Sequence, residues 1–217
     1  MNKIFFINLL IIILLGACNT SDTSSEKKQL TNNETQVTSS GQANLPFATK
    51  FKQLKAQYRP YEIQMPKNWH IKESYKSGGI KAASKFQKER PNQYEEVLYV
   101  SPLNRGVVTF NKDTGSMEQG AANLEDFFKE HIVNLENTLT DFKLIEQGDV
   151  KLNGLAAKRI IYQFTNKDKY HLPLQELTYF VAKGAEIYMI GGADAAEDFE
   201  EQLPMFEEVV KTFKFVK

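Results

Sequence analysis

Three sets of side chains in this chain could carry chemistry, and their spacing limits what each could do. His70, His131 and His171 could hold a metal or move a proton, but none stands at ligand spacing from another histidine, a cysteine or a carboxylate. Glu130 and His131 adjoin, and neighbours one apart do not share a helix face. The spacing predicts structural or surface histidines and no metal site. Glu197, Asp198, Glu200, Glu201, Glu207 and Glu208 could pair as a hydrolase acid and base or as cation ligands. They alternate with apolar residues at helical spacing, which reads instead as the solvated face of a helix. Ser74, Ser84 and Ser101 lack the context of a nucleophile elbow. No catalytic residue and no cofactor is expected.

The third set is basic. Lys76, Lys81, Lys85, Lys88 and Arg90 fall in a stretch whose only acid is Glu89, beside Gly78-Gly79. Such a loop could meet an anionic partner: lipid headgroups, a polysaccharide or an acidic protein face. The plainer account is a solvated lysine-rich excursion, and the glycine pair lacks the spacing of a phosphate loop. Trp69, the sole tryptophan, could be an exposed recognition aromatic. A core anchor closing the first hairpin is the expected role.

The single thiol, Cys18, has a more specific setting. Lys3 supplies a positive charge, Ile4 to Leu15 is apolar except for Asn8, and Gly16 and Ala17 precede the cysteine. That is the layout of a secretory signal. The apolar run is too short for a bilayer core, which needs about 20 helical residues. Leu15-Gly16-Ala17-Cys18 resembles the lipobox of bacterial lipoproteins. The resemblance implies transfer of diacylglycerol to the thiol, cleavage before Cys18 and acylation of the new amine. Two or more acyl chains hold a protein on its membrane, at about 0.8 kcal/mol per buried CH₂. The expected location is the bacterial cell envelope, on the outer membrane if the cell has two; Asn19 is not the aspartate that resembles an inner-membrane retention signal.

With its thiol acylated the chain can form no internal disulfide, so stability must come from packing. Loss of Lys3 with the signal leaves 26 basic against 27 acidic residues. Net charge therefore gives no sign of nucleic-acid binding or of general attraction to anionic surfaces. From Asn19 to Asn44 only Leu30, Val37 and Ala43 are apolar, which predicts a disordered tether. Residues 45–217 read as one domain, of a length that buries roughly 70% of its unfolded surface.

Within it, alternation predicts strands over Tyr61–Met65 and Trp69–Lys72, joined as a hairpin at Pro66. Val97–Val100 and Val107–Phe110 read as a second hairpin. Leu124, Phe127, Phe128, Ile132, Leu135 and Leu139 fall at spacings of three and four, with Asn123 as cap and Glu125 and Asp126 at the positive end of the dipole. Asn153-Gly154 between β-type runs predicts a type I′ hairpin. Gln175–Val181 and Glu186–Gly191, turning at Ala182–Ala185, are apolar on both faces and should lie centrally. An acidic helical segment around Ala195–Glu201 should break at Leu203-Pro204, where a second helix starts with Phe206, Val209, Val210 and Phe213 inward. The class is α+β: an antiparallel sheet covered by helices, as an α/β/α-type sandwich.

The run Tyr61 to Trp69, then Asn153 to Tyr162, then Ile187-Tyr188 with Phe206 to Lys214, is similar to the PsbP-like family of extrinsic photosystem II subunits and bacterial envelope lipoproteins. The resemblance implies an antiparallel sheet between helices and a binding or assembly role without an activity. No metal-ligand set of that family maps onto these residues. The reading is a lipid-anchored envelope protein acting as a non-catalytic binding module. It implies a membrane contact through Cys18, an envelope protein or anionic surface as partner, and no nucleic acid or small-molecule ligand. The alternative is an envelope hydrolase or cell-wall enzyme whose cleft residues a single sequence does not reveal.

Overall fold

The β-rich runs become twelve strands, and most of them are consecutive up-and-down neighbours. The computed structural model describes residues 50–84, 95–106, 108–167 and 171–217. In chain order these form β1 (Phe51–Lys55), β2 (Tyr61–Pro66), β3 (His70–Glu73), β4 (Ile80–Ala83), β5 (Val97–Asn104), β6 (Val108–Asn111) and β7 (Ser116–Gln119). Then follow helix α1 (Leu124–Thr138), β8 (Thr140–Leu152), β9 (Leu155–Asn166), β10 (Leu172–Lys183), β11 (Glu186–Ala195), helix α2 (Phe199–Lys211) and β12 (Lys214–Phe215). Seven strands make an antiparallel sheet in the order β3-β4-β5-β11-β10-β9-β8. A three-stranded sheet has the order β1-β2-β12, and β6-β7 pair only with each other.

The strongest local signals hold. Asn123 caps α1, its Oδ1 accepting from the Asp126 N–H at 3.2 Å. Asn153 and Gly154 turn β8 into β9 with φ of 51° and 83°, as the type I′ geometry requires. β10 and β11, buried on both faces, lie inside the sheet.

Three expectations fail, two over strand partners and one over a helix break. Tyr61–Met65 does not pair with Trp69–Lys72: β2 pairs with β1 and β12, whereas β3 pairs with β4 in the other sheet. The Pro66–Trp69 turn is there, with Trp69 N–H donating to Pro66 O at 3.2 Å, but it carries the chain between sheets. Val97–Val100 does not form a hairpin with the run ending at Phe110. β5 continues through Pro102 to Asn104 between β4 and β11, and Pro102 lies beyond the last β4 pairing, Ile80 with Val100. Finally, the C-terminal helix is continuous through Pro204. Pro204 and Glu200, the residue whose carbonyl loses a donor, are both exposed, so water can serve that oxygen. Meanwhile Met205, Phe206, Val209 and Val210 hold the inner face in the core.

Alternation along β10 assigns the helices. Phe180 meets Phe127, Phe128 and His131 of α1, with ring centroids 5.0–6.0 Å apart. Leu177, Tyr179 and Val181 point the other way, into a core shared with Phe206, Val209 and Val210 of α2 and with Tyr61, Ile63 and Met65 of β2. The class is α+β, but helices alone do not cover the sheet. Seven strands at about 4.8 Å span roughly 29 Å, against about 10 Å for one helix. On the α2 face the small sheet supplies the rest of the cover.

Candidate functional site

The pairing register assembles a polar cluster on the α1 face. Tyr99 of β5 stands opposite Gly191 of β11, which stands opposite Thr178 of β10. Glu176 of β10 faces Tyr162 of β9 one step along. Because Gly191 has no side chain, Tyr99 lies across β11 and reaches β10. Its hydroxyl donates to Glu176 Oε1 at 2.5 Å and lies 2.7 Å from Thr178 Oγ1. The Thr178 hydroxyl approaches the same carboxylate oxygen at 3.1 Å, and Tyr162 also bonds to Glu176. A Cβ on Gly191 would meet Leu177 O at 2.0 Å and the Tyr99 hydroxyl at 3.0 Å. Gly192, facing the other way, lets the Phe206 ring of α2 rest on the sheet, where a Cβ would stand 2.8 Å from it.

Burial sets the electrostatics. Glu176 is 5% exposed, and desolvation pushes its pKa up against the three hydroxyls, which favour the ionised form. Tyr99 and Tyr162 are held well above the ordinary phenol value, first by burial and then by the Glu176 charge. These groups bond one another beneath the sheet surface. They can fix the spacing of three strands, and they present no acid or base to a molecule in solvent.

The predicted site residues separate. Lys76 is exposed in the β3–β4 turn, its Nζ 5.9 Å from the centroid of the exposed Tyr75 ring. Lys81 is in β4, half-buried, opposite Lys72 on one side and Tyr99 on the other, so it extends the row that leads to the cluster. Lys85, Lys88, Arg90 and Cys18 lie outside the described residues. His70 and His171 are exposed. His131 is buried at 4% exposure, stacked on Phe127 at 5.7 Å, and its Nε2 has no hydrogen-bond partner. Burial, and then the Arg105 guanidinium, lower its pKa to about 4. Among the described residues no group of three or more His, Cys, Asp or Glu could hold a metal ion. Nor is any described helix long and apolar enough to cross a membrane. Trp69 is in the core at 6% exposure, though without a hairpin to close. Of the acidic C-terminal residues, Glu197, Glu200 and Glu201 are exposed, Asp198 and Glu208 are half-buried, and Glu207 turns toward Arg159 of β9.

Adjacent residues of β9 tie the two helices to opposite faces. Lys158 bridges Glu125 of α1 and Asp149 of β8, the latter at 2.6 Å. Arg159 bridges Glu146 of β8 and Glu207 of α2, the latter at 2.9 Å.

The turns gather at one end of the large sheet. Arg59 pairs with Glu186 at 3.2 Å, and the Tyr61 hydroxyl donates to Gly78 O at 2.9 Å. Arg105 and Gly106 N–H both donate to Ala185 O at 2.8 Å, which fixes the base of the β6–β7 hairpin there. Asn153 Nδ2 donates to Lys211 O and Phe213 O at 3.0 and 2.5 Å, capping α2 with the β8–β9 turn. This end exposes Tyr58 (50%), Tyr75 (70%), Val108 (54%), Phe110 (58%) and Met117 (67%). Lys50, where the described chain begins, is at the opposite end, its carbonyl accepting from Lys67 N–H.

Sequence reasoning missed both the cluster and the hairpin end. Glu176, the one charged residue of Leu174–Val181, and Gly191-Gly192 inside a β-rich run, were the available signals.

A seven-stranded antiparallel sheet with one helix on each face and a second small sheet defines an α+β sandwich. Residues 4–215 match the family described as PsbP-like protein, and the chain belongs to that family. Cyanobacterial PsbP (CyanoP) from Synechocystis sp. PCC 6803 shares the fold with a TM-score of 0.51 and 12% identity, over 81% of this chain and 98% of that one. LpqN, involved in cell envelope biogenesis of Mycobacterium tuberculosis, gives 0.51 and 11%, over 72% and 83%. The Saccharomyces cerevisiae Ran-binding protein Mog1p gives 0.47 and 11%, over 77% and 96%. No curated relative matches the sequence.

Proposed function

We propose that this protein is a lipid-anchored, non-catalytic binding or assembly module of the bacterial cell envelope, held on its membrane through Cys18. One observation carries the non-catalytic part: the strongest candidate acid, Glu176, is enclosed by Tyr99, Tyr162 and Thr178, whereas aromatic and apolar side chains are displayed to solvent. Recognition uses such exposed side chains, and acid–base catalysis needs a group within reach of substrate. Membership of the PsbP-like family and the fold shared with LpqN support an envelope setting. The anchor rests on the Leu15-Gly16-Ala17-Cys18 sequence. Lys76 and Lys81, with Lys85, Lys88 and Arg90, remain the proposed contact for an anionic partner.

The test is an affinity pull-down of the intact protein from detergent-solubilised native membranes, beside a Cys18→Ala control, read by mass spectrometry. A partner retained by the acylated form and lost in the control supports the reading. Retention of no partner, with turnover in a cell-wall substrate screen, would overturn it.

A further inference from the structure

We infer that the hairpin end of the domain docks on the lipid interface of the membrane that carries its anchor. The inference takes the lipid anchor from the reading above and adds an orientation to it.

The molecule treats its strand edges in two ways. The outer strands of the large sheet are guarded: β3 carries His70, Lys72 and Glu73, and β8 carries Lys143, Glu146, Asp149 and Lys151 with two breaks in register. Charges and bulges of this kind keep an edge in water. The β6–β7 hairpin is built otherwise. Its base is fixed to the β10–β11 turn through Ala185 O, and Phe110 stands directly opposite Met117 with both exposed. Val108 shares their face by alternation. A two-stranded sheet standing alone in water is marginal, so an apolar face on a rigid base calls for an apolar surrounding.

Tyr58 and Tyr75 belong to other turns at the same end, and tyrosine suits a boundary that is apolar on one side and wet on the other. Lys76, Lys112 and Lys183 are exposed there, and among the described residues no carboxylate lies within ion-pair range of any of them. The paired charges at this end, Arg59 with Glu186 and Lys214 with Glu62, cancel. Asp113 and Glu118 are the acids of the β6–β7 hairpin, Glu118 accepting from Asn111, and Glu73 accepts from the Gln57 N–H beneath the Tyr58 turn. Lys183 rests over the Phe215 ring at 4.4 Å and Lys76 near Tyr75, and apolar side chains interleaved with lysines that have no carboxylate partner match an interface with anionic headgroups. A second copy of the chain fits less well, because even these five side chains expose only several hundred Å², below the roughly 800 Å² per partner of a stable interface.

Chain length permits the geometry. Lys50 is at the far end, and β10, with 12 residues, makes the sheet about 40 Å long. The 31 residues between Cys18 and Lys50 reach at most about 105 Å.

The experiment uses the intact acylated protein in vesicles of phosphatidylethanolamine and phosphatidylglycerol, with and without lipids brominated on the acyl chains. Phe110→Trp adds an indole at the hairpin, while Trp69 in the core is the internal reference. Docking predicts that the added indole loses most of its emission in brominated vesicles while wild-type emission is unchanged. Amide exchange of the unmodified protein should show residues 108–119 slowed on these vesicles relative to vesicles of phosphatidylcholine alone. Equal emission with and without bromine, together with unchanged exchange, overturns the docking. Emission of the added indole that depends on protein density and not on bromine overturns it in favour of a second copy. Vesicle flotation reads the anchor separately: protein that fails to float refutes acylation, whereas protein that floats without quenching refutes only the docking.

Discussion

Replacing His131 with phenylalanine should remove a fixed part of the acid sensitivity of the fold. The imidazole packs between Phe127 and Phe180 of α1 and β10, with Arg105 the charged group facing it, and its Nε2 is buried without a partner. Its pKa in the native protein is about 4, against an ordinary 6.5. Below pH 6.5 the unfolded chain takes up this proton and the native protein does not, so the unfolded state binds more protons and stability falls as pH falls. The loss begins near 6.5, continues to about 4 and amounts to about 3 kcal/mol, at about 1.36 kcal/mol for each unit of displacement. Phenylalanine conserves the ring contacts and removes the unpaired nitrogen, so stability at pH 7 should be unchanged or higher. Urea unfolding of both proteins at pH 7, 5.5 and 4.5 measures the difference. The gap between variant and wild type should widen with each step downward. Parallel curves across that range would refute a buried neutral imidazole.

Glu176 should act in the opposite sense: its raised pKa makes its contribution full at acidic pH and diminished as pH rises through its native value, so Glu176→Gln should flatten that decline in the same urea series. Tyr99→Phe removes the hydroxyl shared by Glu176 and Thr178 and should cost about 1–3 kcal/mol in urea unfolding. Gly191→Ala places a methyl 2.0 Å from Leu177 O and should destabilise beyond about 4 kcal/mol, seen as loss of the cooperative thermal transition near the wild-type midpoint. Asn153→Ala keeps φ at 51° without the amide that suits asparagine to the left-handed region and removes the cap on Lys211 and Phe213, so the melting temperature should fall; Asn153→Gly should recover the turn but not the cap.

Where a signal is local, the sequence was sufficient. The spacing of Phe127, Phe128 and Leu135 defines α1, and Asn153-Gly154 defines a turn, because each depends on neighbours within one helical turn or one hairpin. Strand pairing is not local. Tyr61–Met65 alternates as a strand must, yet nothing in that run says that its partners are Phe51–Lys55 and the last strand of the chain. Pro204 reads as a break because its local cost is plain, while the packing that outweighs it comes from the sheet. The Glu176 cluster was illegible for the same reason: Tyr99, Tyr162 and Glu176 meet only through the register of four strands. The basic stretch was legible as composition alone, and the fold puts its first member at a turn and its second in a strand, next to Tyr99.

At Gly191 and Gly192 the sheet has no side chain on either surface, so a phenol bears on one side and a phenyl ring on the other with only peptide backbone between them. Strand β11 there is a membrane one residue thick between two packed layers. The Tyr99 phenol bears on Gly191 and the Phe206 ring on Gly192, so each layer depends on the absence of a different side chain. A side chain at Gly192 could therefore be accommodated by a smaller residue in place of Phe206, whereas one at Gly191 would meet the Leu177 carbonyl and has no such remedy.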